Sequence, residues 1–346
     1  MEISILDKQF KIKGIIDDVL SFQWIERYYN LGSFTFQIRK KHLDLVLNGS
    51  YVFVRDSKYT GIIYGVQCRD ADIIISGAFL ERLFQYRVID RPRTYTGSVE
   101  NVMRNIVNDY CIAPPGRRID KLQLGSTAGL GETITASFEG QTVLEALETL
   151  SMTHDMSFVL NYDFEKDIIL FEVFQGLDRT QEQSVNPWCV FSLEFDNVLN
   201  ERYTLERDAR NYIYVHGEEN IIVEIDLTNG DERKELFVDA TNLRRRAADG
   251  SNMPLSEYQA ALRQRGLQRA AEFVDTEVID MDVHPANAMP FALGDICAYI
   301  NNELGIIVED RITEIRTIIE NGQSQRQIIL GRDQMTIVQK LRREIR

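Results

Sequence analysis

The stretch Phe174-Gln175-Gly176-Leu177-Asp178-Arg179-Thr180, followed by Asn186-Pro187-Trp188 and then Cys189-Val190-Phe191-Ser192-Leu193-Glu194-Phe195-Asp196-Asn197, divides the chain. An alternating run closes at Gly176, a polar loop follows, and a second alternating run opens after Pro187. Glycine releases the backbone at a strand end, and Asp and Thr bond to local main chain in turns. The stretch therefore reads as a joint between two folded units. Gly176, Asp178 and Arg179 are its candidate bracing residues, either within the chain or against a neighbouring subunit.

Before the joint, residues 1–93 carry period-two patterns. Phe34, Phe36 and Ile38 alternate with Thr35 and Gln37, and short apolar runs recur at 51–54, 61–66 and 73–76 between polar turns. One buried face per strand and close spacing imply an antiparallel barrel or sandwich. The period changes at 94–183. Val99, Val102, Met103, Ile106 and Val107 follow helical spacing after the N-cap candidate Ser98, Thr142 with Glu145 forms a capping box, and a hairpin is expected around 162–167. Beyond the joint, strands are expected at 189–195, 212–215, 277–283, 296–300, 305–319 and 327–330. Between them, Asn229-Gly230-Asp231 reads as the turn of a hairpin joining 221–227 to 235–238. A helix is expected over 256–274 with Gly266 as its weak point, and an amphipathic helix after Asp333.

One internal echo links the two ends. Asn48-Gly49-Ser50-Tyr51-Val52-Phe53-Val54 resembles Leu293-Gly294-Asp295-Ile296-Cys297-Ala298-Tyr299, Gly61-Ile62-Ile63 recurs as Gly305-Ile306-Ile307, and strands ending at Gly77 and Gly331 close both copies. Hairpins also resemble one another by chance. If the echo is a duplication, one β unit occurs twice: the fold is α+β and multi-domain, with a first β-barrel domain at 1–93, an α+β domain at 94–183, a second barrel at 184–221 and 285–346, and an α+β domain inserted at 222–284.

The 346 residues suit two or three domains, and 44% apolar content supports sizeable cores. The formal charge is 39 − 53 = −14. That disfavours stable nucleic-acid binding and fits either solubility or a surface past which a polyanion slides. Cys68, Cys111, Cys189 and Cys297 are far apart, without metal spacing, and read as free, mostly buried thiols of a reducing cytoplasm. No signal peptide and no apolar run of membrane-spanning length is visible.

Chemical signatures are sparse. His42, His154, His216 and His284 form no HExxH or ligand cluster, and His154 lies where a helix C-terminal dipole favours a cation. Gly125-Ser126-Thr127-Ala128-Gly129-Leu130-Gly131 lacks the GK[ST] of a phosphate loop and reads as a flexible loop rather than a phosphate cradle. Arg244, Arg245 and Arg246 form a basic run that suits a solvated face or docking onto an acidic patch of another copy. No cofactor or metal is expected.

The ordered set Arg27 with Gly32-Ser33-Phe34-Thr35-Phe36, Gly61-Ile62-Ile63-Tyr64-Gly65, the joint, Val215-His216-Gly217-Glu218, Gly230-Asp231-Glu232-Arg233, Leu293-Gly294-Asp295 and Arg311-Ile312-Thr313-Glu314 resembles the tail-hub (baseplate hub) proteins of long-tailed bacteriophages, the structural N-terminal region of tail-associated lysins. The resemblance implies two barrels of tail-tube type in a homotrimeric, six-fold-like ring. That ring would join the tail tube or distal tail protein to tail-tip or fibre proteins at the distal virion tail, after assembly in the host cytoplasm. Genomic DNA would pass without stable binding. The chain stops at Arg346, which leaves no room for an appended hydrolase and implies a structural protein, not an enzyme. Two other readings stay open: a cell-wall hydrolase using acidic residues of 94–183 or 222–284, and a carbohydrate-binding receptor module stacking sugars on Tyr28, Tyr29 or Trp188.

Overall fold

The computed structural model describes residues 2–55, 57–246, 252–273, 275–284, 289–320 and 322–331. The helix expected after Asp333 lies outside them. The first β region contains β1 (Ile3–Leu6), β2 (Ile12–Ile16), β3 (Ser21–Arg27), β4 (Ser33–Arg39), the short α1 (Leu43–Leu47), β5 (Tyr51–Val54), β6 (Thr60–Cys68) and β7 (Asp72–Phe79). A 3-10 segment, Leu80–Tyr86, leads to β8 (Arg93–Ser98), α2 (Val99–Val107), β9 (Leu122–Leu124), β10 (Thr133–Phe138), α3 (Val143–His154), β11 (Ser157–Asp163) and β12 (Ile168–Phe174). After the joint come β13 (Val190–Phe191), β14 (Val198–Glu206), β15 (Tyr212–His216), β16 (Ile222–Asp226), β17 (Glu235–Asp239), α4 (Leu255–Ala270), β18 (Thr276–Val283), β19 (Ile296–Asn301), β20 (Ile306–Glu320) and β21 (Gln323–Leu330).

The fold is mostly antiparallel β with few helices. Thirteen strands form one sheet in the order β14-β18-β21-β20-β3-β4-β7-β6-β5-β1-β2, with β19 on β20 and β13 on β19. The run β3-β4-β7-β6-β5-β1 is repeated in order by β14-β18-β21-β20-β19-β13. The echoed motifs fall on matching strands, β5, β6 and β7 in one run and β19, β20 and β21 in the other. No closed barrel forms among the described residues: the two runs merge instead, and they do so through β20.

This strand is 15 residues long, about 50 Å at ~3.3 Å per residue. Its first part pairs with β19, Ile306 opposite Asn301 to Arg311 opposite Ile296. Its second part pairs on that side with β3, Glu314 opposite Arg27 to Glu320 opposite Ser21. A register shift between Ile312 and Glu314 marks the change of partner. One apolar core consequently joins Phe22, Trp24, Phe34 and Phe36 to Ile279, Met281, Ile312 and Ile328.

The 94–183 segment behaves largely as its periodicity predicts. The Ser98 side chain accepts from Asn101 N, and the Thr142/Glu145 capping box is complete. β11 and β12 form the expected hairpin, β9 lies parallel to β12, and α2 and α3 bury Val102, Met103, Ile106, Leu147 and Leu150 in a second core.

Three expectations are corrected. The turn at Asn229 and Gly230 is present, with φ of 48° and 99°, but β16 and β17 do not pair; β15 lies between them, antiparallel to one and parallel to the other. Tyr212–His216, expected as a strand of the 184–221 segment, thereby sits with these strands. Gly266 is no weak point: a Cβ there would lie 2.5 Å from Val215 and 2.7 Å from Ile225, so glycine lets α4 lie directly on this sheet. Third, the strand expected at 189–195 shrinks to Val190–Phe191, because Leu193–Phe195 form a 3-10 turn ending at Asp196 in the left-handed region.

A three-way joint as the candidate functional site

Gly176 touches the backbone that leads into β19. A Cβ on it would lie 1.9 Å from the Gly294 carbonyl, so only glycine permits this approach. The next residues add a short parallel rung to β19: Ile296 N donates to Leu177 O, and Arg179 N donates to Ile296 O, both at 2.9 Å. Asp178 and Arg179 do not pair with each other. Asp178 accepts from Thr180 N at 2.8 Å, closing a local turn. Arg179 Nε donates to Asp295 Oδ2 at 2.6 Å.

Asp295 is the hub of the joint. It is 2% exposed and also accepts from Leu177 N at 2.8 Å and Ala292 N at 2.9 Å. A buried carboxylate is tolerated when its oxygens are satisfied and a cation faces it, and all of these partners lie within the chain. The polar loop that follows is also self-bonded. Asn186 Nδ2 donates to Asp178 O, and Trp188 Nε1 donates to Gln183 O. Asn197 then holds the β13 turn, accepting from Ser192 N and donating to Val190 O.

A second clamp sits beside the first. Asp155 caps α3 with φ 54°, and its carboxylate accepts from Arg311 Nε at 2.8 Å and from the Tyr29 hydroxyl. Arg311 also donates to Gly294 O and stacks its guanidinium 5.0 Å from the centre of the Tyr28 ring. Tyr28 N donates to Thr313 O, and the Ser157 hydroxyl donates to Tyr28 O. At the point where β20 changes partner, Arg27 Nε donates to buried Glu314 at 2.7 Å. The residues after β3, the end of α3, the start of β19 and the middle of β20 thus meet at one node. The Leu293-Gly294-Asp295 and Arg311-Ile312-Thr313-Glu314 motifs are visible in the sequence, but their binding to the joint and to Asp155 is not.

Two carboxylates, Glu81 buried and Glu148 half-buried, tie the α+β segment to the first β region. Glu81 accepts from Leu160 N at 2.9 Å, while its second oxygen is buried without a hydrogen-bond partner. Glu148 accepts from Leu31 N at 2.8 Å. Burial pushes both up to about 7.

Other candidates are drawn into structural contacts. Tyr28 and Tyr29 are 1% and 7% exposed, so neither is a sugar platform; Trp188 remains 54% exposed. The glycine-rich loop at 125–131 wraps a carboxylate of its own chain, with Glu100 accepting from Ala128 N and Leu130 N. Burial opposes that charge, but the loop's hydrogen bonds outweigh it and hold Glu100 below its usual range. The N–H groups of Ala128 and Leu130 are thus already taken up by this carboxylate. Burial works against the cation that His154's helix position favours: its side chain is 7% exposed, and burial lowers its pKa despite Glu132 nearby. Arg245 pairs with Glu219 at 3.3 Å and donates to Met253 O, Arg244 is exposed, and Arg246 bridges Asn252; all three lie away from the joint. Cys111, Cys189 and Cys297 are buried free thiols, and Cys68 is exposed. Among the described residues, no group of three or more His, Cys, Asp or Glu is placed to hold a metal, and no helix is long and apolar enough to cross a membrane.

The arrangement holds segments of the chain together. Three solved structures share the fold over nearly the whole chain. The tail protein from Neisseria meningitidis MC58 matches with a TM-score of 0.58 at 14% identity, covering 96% of each chain. The 43 kDa tail protein of prophage MuSo2 from Shewanella oneidensis gives 0.56 at 13%, covering 96% of this chain and 98% of that one. Prophage tail protein gp18 from Listeria monocytogenes EGD-e gives 0.57 at 12%, covering 100% and 98%. No curated protein matches the sequence. The profile of the family described as Siphovirus ReqiPepy6 Gp37-like protein matches residues 2–332, and the chain belongs to that family of phage tail proteins.

Proposed function

We propose that this chain is a structural hub of a phage or prophage tail. Three copies form a ring in which each contributes two similar β runs, giving a six-fold-like annulus. The observation that carries this reading is the repeated strand order, β3-β4-β7-β6-β5-β1 and β14-β18-β21-β20-β19-β13, within one sheet. Two like units per chain let a three-fold assembly meet a six-fold neighbour such as a tail tube or distal tail protein, with tip or fibre proteins on the other side. The domain division at 1–93, 94–183, 184–221 with 285–346, and 222–284 belongs to this proposal; the first β run lies in its first member and the second β run in its third, save β18, which falls within 222–284.

The joint's role is mechanical: Asp295, Arg179, Asp155 and Arg311 fix the angle between the β runs and the α+β segment, so that the ring geometry is set before assembly. With a formal charge of −14, DNA crosses such a ring at the distal tail without sticking, because like charge disfavours association. Light scattering should return three times the 40.0 kDa chain mass, and electron microscopy should show a three-fold ring with a central hole. A compact particle without three-fold symmetry refutes the hub. A zymogram on bacterial cell walls should stay uncleared; clearing abolished by one carboxylate substitution would establish the hydrolase instead.

A further inference from the structure

Among the described residues, the two β runs pair through one edge: the outer edge of β3 on the second part of β20. The repeated strand order gives each partner a counterpart. Where the first run has β3 the second has β14, and where the second run has β20 the first has β6. The counterpart of the β3–β20 junction is therefore a β14–β6 junction, and it is absent among the described residues. Among them, β14 pairs only with β18. β6 pairs with β5 through Thr60, Gly61 and Ile62, after which Gly65 to Cys68 have β7 on one side alone.

Both open edges carry exposed apolar side chains. Leu199 and Leu205 on β14 are 48% and 45% exposed, and Tyr64 on β6 is 55% exposed. An open edge with apolar side chains is a template for strand addition, which natural proteins otherwise blunt or cover. The two edges stand seven strand positions apart in the sheet order, on the order of 30 Å at ~4.8 Å per strand. Two neighbouring copies, one on each side, can satisfy both.

We propose that β14 of one copy adds antiparallel to the open part of β6 in the next, reproducing between chains the junction that β3 and β20 make within one. The contact is head-to-tail, with a different edge used on each side, so it closes into a ring when the rotation per copy permits. The proposal rests on the ring reading above and names the strands that close it. Because β3 runs antiparallel to β20, the start of β14 meets the end of β6, where Cys68 lies.

Cys68 makes the test direct, since it is exposed and the other three cysteines are buried. Single substitutions Leu199→Cys, Asn200→Cys, Glu201→Cys and Arg202→Cys are oxidised in the full-length protein and run on non-reducing gels, beside light scattering of the same samples. The expected result is cross-linked dimer and higher species at one or two adjacent positions, lost in a Cys68→Ser background. Amide exchange at 64–68 and 198–206 should slow on assembly. Ring-sized particles with no cross-link at any position and no slowed exchange overturn the edge assignment and leave the ring standing. A protein that stays monomeric at every concentration overturns both.

Discussion

Replacing Arg179 with alanine tests whether the joint is the mechanical node its geometry describes. The side chains of Arg179 and Asp295 are 12% and 2% exposed, so solvent screens the pair little. Arg179→Ala leaves a buried carboxylate with two backbone N–H donors and no facing cation. Removing one partner of a buried pair costs ~3–5 kcal/mol, whereas an exposed pair contributes ~0–1. The low exposure places Arg179 in the first regime. Urea unfolding followed by Trp188 fluorescence, in a Trp24→Phe background, reads this region directly, because the Trp188 indole is bonded within the joint loop. A chain of this size need not unfold in one step, so the transition that Trp188 reports is the one compared. Adding Asp295→Asn to Arg179→Ala should recover part of the loss, with a coupling of ~1 kcal/mol or more. An Arg179→Ala cost below ~1 kcal/mol together with an additive cycle would refute the reasoning: the pair would then behave as a screened surface contact.

Three further outcomes follow from the geometry. Gly176→Ala drives a Cβ into the Gly294 carbonyl and should cost ~1–3 kcal/mol or more in urea, while Gly116→Ala, with nothing within 4 Å, should be near neutral. Glu81 and Glu148 are raised to about 7 from 4.5, so they favour the folded state most when protonated. That stability is fully present below pH 4.5 and is lost as pH rises through about 7, on the order of 3 kcal/mol per group. Melting curves across this window should therefore slope less in Glu81→Gln than in the parent, and an unchanged slope would count against the buried charge. Thr142→Ala removes the α3 cap and should cost ~1 kcal/mol by thermal unfolding, with the loss confined to the transition that reports the α+β segment.

Burial decides the chemistry at several positions that local rules describe differently. Burial works against the cation at His154, and Glu100 obeys its hydrogen bonds over desolvation. Neither outcome can be read from spacing, because each depends on which atoms from other segments close over the group. The same holds for Tyr28 and Tyr29: an aromatic pair after a strand suits a sugar platform or a core equally well in sequence, and only the packing of Arg311, Asp155 and Gly294 around them decides for the core.

What the sequence by itself determined is what short-range physics controls. Period-two alternation located most strands of the large sheet, Ser98 and the Thr142/Glu145 box started the two helices of the α+β segment, and the echo of 48–63 in 293–307 marked strands that prove to hold matching places. Gly176 was legible as a joint residue because it closes an alternating run, while what requires glycine there is the approach of Gly294. Tertiary structure decided the partners. The Arg27–Glu314, Arg311–Asp155 and Arg179–Asp295 pairs are separated by 287, 156 and 116 residues. It also placed β15 between β16 and β17 against the hairpin expectation, and merged the two β runs along β20. A strand's pattern states which face is buried but not which edge it offers to whom, since every edge presents the same N–H and C=O groups. That choice is made by long-range packing of the whole sheet, and it is why the joint could be located from its own residues while its partners could not.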